Sequence, residues 1–169
     1  MKLIAALAML FFAKNADSQN FIYGRTIGSL PYLEFGIGDD RLGGAKMTYL
    51  DTGIIIKVVD SVNNDYKIQL SSDHYAYIPK QQFKTDTSFK PKPHFLTASW
   101  RVWGDDTYDY VTIGLPERLP YRSIQQISPS RIVLDIFGAT SNTNWITQLK
   151  TVKEIRNVWY EQVEDDVFR

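Results

Sequence analysis

The 169-residue chain has no cysteine, only two histidines and no excess of either charge, with 19 Lys and Arg against 19 Asp and Glu. Without cysteine there are no disulfides, no thiolate metal sites, no cysteine nucleophile and no lipid anchor attached through sulfur. The balanced charge, shared almost evenly between the two halves, removes the basic field that a nucleic-acid binder needs. His74 and His94 are too few for a catalytic zinc, which takes about three protein ligands, and they read as surface or turn residues. Neither an H-E-x-x-H pair nor a G-x-S-x-G elbow occurs. The acidic pairs at 39–40, 105–106 and 165–166 are sequence neighbours whose side chains diverge, so they read as solvated turns, not acid–base dyads. The run Gly43, Gly44, Ala45, Lys46 lacks phosphate-loop spacing and reads as a turn that needs positive φ. The sequence predicts no catalytic residue, no metal ligand and no cofactor for this chain.

Long hydrophobic runs are also missing. The longest, residues 3–13, follows Met1 and Lys2 and precedes Ala16, Asp17 and Ser18. It is shorter than the roughly 20 residues of a spanning helix. A positive start, an apolar stretch and a small-x-small exit describe a secretory signal peptide over residues 1–18, with Gln19 first after cleavage. The chain is therefore expected to be exported, with no membrane span. An exported chain without disulfides rests on its hydrophobic cores alone.

Aromatics are plentiful: 14% of the chain, including ten Tyr and four Trp. With 44% apolar residues this predicts an all-β fold with a packed core. Residues 85–93 hold two prolines and no periodicity, and they read as a linker between a module at 19–84 and a second at 94–169. In the first, residues 53–59 form a nearly continuous apolar strand, and Asn63, Asn64 and Asp65 make a turn. Tyr66, Ile68 and Leu70 then alternate with Lys67 and Gln69. A turn at 71–74 leads to a strand at 75–78, and Pro79 opens a short turn over 79–82. The second module offers strand candidates at 95–102, 108–114, 121–127, 131–137 and 152–160, the spacing of a β-sandwich. Residues 142–145 read as a turn and 145–149 as one helical turn. The last residues look like the start of another strand, which predicts a sandwich left incomplete at its C-terminal edge.

Within the candidate at 131–137, Ile132, Leu134 and Ile136 share one face, while Arg131, Val133, Asp135 and Phe137 share the other. A buried face explains the aliphatic set; it does not explain an Arg and an Asp bracketing a Val.

The stretch Pro129, Arg131, Asp135, Gly138 with apolar residues between resembles the AMIN domain, the targeting module of bacterial cell-wall amidases. Tyr66-Lys67-Ile68-Gln69-Leu70 followed by Ala76-Tyr77-Ile78 is similar to the middle hairpin of bacterial SH3-like barrels. Together with the signal peptide, the order of modules resembles the N-terminal, non-catalytic half of a Bacteroidetes-type N-acetylmuramoyl-L-alanine amidase. Further texture comes from Gly-Asp-Asp-Arg-Leu-Gly-Gly-Ala-Lys at 38–46, Ser-Trp-Arg-Val-Trp-Gly-Asp at 99–105 and Asp-Asp-Val-Phe-Arg at 165–169. The resemblance implies a fold of a small SH3-like barrel followed by an AMIN-like sandwich. It implies a wall-targeting and regulatory function, with peptidoglycan and a downstream amidase domain as partners and zinc held in that downstream domain. A free-standing periplasmic binding or scaffold protein is the alternative.

Peptidoglycan offers sugar faces for aromatic rings and carboxylates for arginine. The candidate binding residues are Arg131, Trp100, Trp103, Tyr108 and Tyr110. The same residues also suit structural roles: the aromatics as core, and Arg131 as the salt-bridge partner of Asp135.

Overall fold

A computed structural model describes residues 21–38, 44–92, 95–142 and 151–169. The expected signal peptide, the helical turn at 145–149, His94 and most of the 40–46 loop lie outside the described residues. Within them the chain is all-β, and no α-helix occurs.

Seven strands form the first sheet: β1 (Ile22–Thr26), β2 (Tyr32–Glu34), β3 (Lys46–Tyr49), β4 (Ile55–Val62), β5 (Asp65–Gln69), β6 (Tyr75–Pro79) and β7 (Phe83–Thr85). Their order is β3-β2-β6-β5-β4-β1-β7, and every pairing is antiparallel. The turn between β4 and β5 places Asn63 at φ 49°, a left-handed position that Asn tolerates. One turn of 3-10 helix at Lys80–Gln82 joins β6 to β7, where the sequence predicts a Pro-led turn. Gly44 has φ 71°, the positive value expected of that loop. Alternation along β4, β5 and β6 sends Ile56, Val58, Ile68, Ala76 and Ile78 to one side, where they are buried together with Leu33.

The rest of the chain builds smaller sheets. They comprise β8 (Phe95–Leu96), β9 (Trp100–Gly104), β10 (Asp109–Ile113), β11 (Tyr121–Ile127), β12 (Ser130–Phe137), β13 (Ala139–Thr140), β14 (Gln162–Glu164) and β15 (Val167–Phe168). β9 and β10 form a hairpin, β8 and β13 pair in parallel, and a four-stranded sheet runs β11-β12-β15-β14. A second core gathers Ile55, Leu119, Ile136, Ala139 and Phe168, with Phe95, Ile113 and Tyr160 packed against it.

Three expectations need correction. β15 lies between β12 and β14, so the C-terminal strand is paired on both sides and is no unpaired edge. Residues 152–160 form no strand. They run as a strap across the β9–β10 hairpin, because the Asp109 carboxylate accepts the backbone N–H groups of Lys153, Glu154 and Ile155 at 2.7–3.1 Å. Gly104 permits this approach: a Cβ there would collide with the Asp109 carboxylate and lie 2.8 Å from the Thr151 carbonyl oxygen. Finally, Ile132 does not share the burial of Ile136. It is 74% exposed, because β15 pairs β12 only at Ile136 and Phe137 and the β11–β12 hairpin projects beyond that contact.

The two halves interlock. Phe137 and Val167 enter the first core, and Ile55 of β4 belongs to the second. The backbone N–H of Ile55 donates to the Arg118 carbonyl at 2.8 Å. Arg25 pairs with Asp86 at 3.0 Å and with Glu117 at 3.1 Å. The segment at 85–93 is held as well, since Phe89 packs against Tyr23 and Phe95 with ring centroids 5.3 and 6.4 Å away.

Candidate functional site

The outward face of the β9–β10 hairpin gathers three of the five candidate residues. Alternation along β9 buries Trp100 and Val102 and exposes Arg101 and Trp103. Trp103 and Tyr110 are direct cross-strand partners. Their rings stack with centroids 4.3 Å apart at 18°, a pair worth about 0.5–1.5 kcal/mol beyond the area buried. Tyr108 meets Tyr110 edge-on at 6.3 Å. Trp103 stays 42% exposed and Tyr108 65%, so the cluster forms a shelf of ring surface open to solvent.

Asp105 fixes this shelf. Its carboxylate accepts the backbone N–H groups of Thr107 and Tyr108 at 2.7 and 2.8 Å and the Tyr110 hydroxyl at 2.8 Å. Those bonds, the backbone donors first, hold its pKa below the usual carboxylate value; the Tyr110 hydroxyl is pushed up by donating to it. The turn and the ring that follow it are thus preorganised from one carboxylate. Arg101 shares the outward face with Trp103 and, among the described residues, has no ion-pair partner. The sequence reading passed it over. Its signal was the alternation that exposes Trp103, since residues two apart on a strand share a face.

Trp100 and Arg131 lie elsewhere. Trp100 is only 7% exposed and packs edge-on against Tyr160 at 5.5 Å, with Tyr160 stacked in turn on Phe168 at 5.8 Å. It supports the hairpin from beneath and presents no face to a ligand. Arg131 stands exposed near the tip of the β11–β12 hairpin and donates to the Gln126 side chain of the opposite strand.

The suggested Arg131–Asp135 salt bridge does not form. Four residues along a strand span about 13 Å, and Asp135 has nearer partners. Arg122 sits directly opposite it across the β11–β12 ladder and donates at 2.7 Å. Arg169, immediately after β15, donates at 2.7 Å from the other side. Asp135 is 1% exposed. Burial pushes its pKa up, yet hydrogen bonds and charge from Arg169 and Arg122 outweigh that and hold it below the usual carboxylate value. The acid in the motif is therefore a structural clamp across β11, β12 and the end of β15.

His74 lies in a turn, as expected, with Nδ1 2.7 Å from the Ser71 hydroxyl oxygen and 3.3 Å from the Glu164 carboxylate. Among the described residues no group of three or more His, Asp or Glu could hold a metal ion, and no helix is long and apolar enough to cross a membrane.

Residues 99–169 match the AMIN domain, a domain typical of periplasmic peptidoglycan-associated proteins. This region contains the aromatic shelf, the Asp135 clamp and both interlocking side chains Phe137 and Val167. No curated protein and no solved structure matches the chain.

Proposed function

We propose that this chain is the exported wall-targeting and regulatory region of a zinc-dependent N-acetylmuramoyl-L-alanine amidase, and that it binds peptidoglycan through the β9–β10 shelf. The observation that carries the binding half of this reading is the solvent-open ring surface of Trp103, Tyr108 and Tyr110 inside the region that matches the AMIN domain. Aromatic faces pack on the apolar faces of sugar rings, and the neighbouring Arg101 offers a guanidinium to a carboxylate. Arg131, at the far hairpin tip, is a second guanidinium of the same kind.

The first sheet supports an SH3-like reading of residues 19–84. β2 and β3 intervene between the paired strands β1 and β4, the β4–β5 hairpin turns tightly, and one 3-10 turn precedes a last strand that returns to β1. The amidase parent rests on the order of the two modules and on the AMIN match, because the paired β15 removes the argument from an open edge. Its catalytic zinc belongs to a domain downstream of Arg169.

Two experiments test the parts separately. Purified sacculi should pellet the full chain above a non-binding control, and failure to do so rejects the wall partner. The reading frame beyond Arg169 should encode about three His and Glu ligands for a catalytic zinc. A stop codon there, or a different catalytic domain, rejects the amidase parent.

A further inference from the structure

A cleft of about 280 Å³ lies where the outer face of the first sheet meets the second half of the chain. Its floor is one row across three strands: Tyr23 of β1, Lys57 of β4 and Gln69 of β5 are direct cross-strand partners. All three point away from the first core, whose inward positions are taken by Ile56, Val58 and Ile68. Phe89 and Phe95 line one side, and Ser71, Ser72 and Asp166 also line the cleft together with the exposed Lys92.

Lys57 is the unusual group. Its ammonium donates to the Gln69 side-chain oxygen at 2.7 Å and lies 3.8 Å from the centre of the Phe21 ring. Among the described residues it has no ion-pair partner, although an ammonium carries three donors. The cleft's acidic residue, Asp166, is engaged by Ser72 and not by Lys57: its carboxylate accepts the Ser72 backbone N–H at 2.7 Å and the Ser72 hydroxyl at 3.0 Å. Burial pushes the Lys57 pKa down. A partly desolvated cation with no counter-charge is unfavourable, and an arriving anion relieves it. The volume sits just under the roughly 300–1,000 Å³ of small-molecule pockets, and the aromatic wall suits an aliphatic or peptide backbone group beside that anion.

We propose that this cleft binds the free carboxylate of a short peptide, with Lys57 as the charge partner and Tyr23, Phe89 and Phe95 packing on the peptide's apolar part. That the peptide comes from the stems of peptidoglycan rests on the wall-targeting reading; the chemistry of the cleft does not.

The test is an amide-shift titration of the full chain with the dipeptide alanyl-glutamate, and with the same dipeptide amidated at both carboxyl groups. Shifts should cluster at Tyr23, Lys57, Gln69 and Ser72. Amidation, or Lys57→Met, should weaken affinity at least about tenfold, and Lys57→Arg should restore most of it. Unchanged amide positions in the first core would show that Lys57→Met still folds. Equal affinity for the amidated dipeptide, unaltered affinity in Lys57→Met, or no shifts at the cleft overturns the assignment. Retention on sacculi separates the two proposals. A chain that binds the dipeptide in the cleft but is not retained contradicts the wall reading and supports the cleft. A chain that is retained without cleft shifts overturns the cleft alone.

Discussion

At Asp135 one carboxylate joins β11, β12 and the end of β15 through Arg122 and Arg169. Removing it leaves Arg122 without this ion pair and Arg169 with only Glu161 at 3.8 Å, so Asp135→Ala should destabilise the fold by roughly 3 kcal/mol, the low end for breaking a buried pair. Chemical denaturation measures this directly. The pH dependence has a definite sign. The folded carboxyl titrates below the ordinary value of 3.8, so its contribution is complete above that value and is lost as pH falls through the lower folded one. Asp135→Asn should flatten that acid limb of a stability-against-pH curve, whereas Arg131→Ala should leave it unchanged. The Arg and Asp were conspicuous in the sequence, but their roles were not. A pattern along one strand shows which side chains share a face; it does not show which strand lies opposite, and that is what gives Asp135 its partners.

Between elements, the strap at 151–161 is the feature that periodicity misread. Residues 152–160 are apolar enough to suggest a strand, yet their first amide groups are taken by a side chain and not by a ladder. Asp109→Asn should therefore release the strap. Hydrogen exchange at the amides of 153–155 should accelerate, while exchange within β4 and β5 stays slow. Gly104→Ala should produce the same local loosening through a collision at the same spot. Elements whose pairing follows from tight turns were legible: β4, β5, β6 and the β11–β12 hairpin all fall close to where alternation and turn residues place them. β15 was legible as a strand but not in its pairing with the remote β12, β14 was missed because it is only three residues long, and the strap was missed because its partner Asp109 is remote in sequence.

Across the whole molecule the two halves share side chains as well as a junction. Phe137 of β12 fills the first core, stands 5.3 Å from the His74 ring, and is 1% exposed. Phe137→Ala should cost about 3–5 kcal/mol, and because both cores lean on this strand, amide signals from β4–β6 and from β11–β12 should still report one common transition. Two separate transitions in the unmutated chain would instead mean that the halves fold independently. The sequence analysis expects two modules with a proline-bearing connection between them; the exchange of Ile55, Phe137 and Val167 across that expected boundary depends on three-dimensional packing and left no local signal. One consequence is that the shelf of Trp103, Tyr108 and Tyr110 is carried on a body that buries more of its surface than a lone sandwich of about 70 residues could.

The most direct measurement is the affinity of the full chain for purified sacculi, compared with that of the Trp103→Ala/Tyr108→Ala double variant. Each exposed ring is assigned about 1 kcal/mol. The double variant should therefore stay folded, its unfolding midpoint lowered only by the lost Trp103–Tyr110 stack, and bind roughly 30-fold more weakly, since about 1.4 kcal/mol corresponds to a factor of ten. Equal retention of both proteins, with the variant's fold intact, would contradict the assignment of this face to the wall.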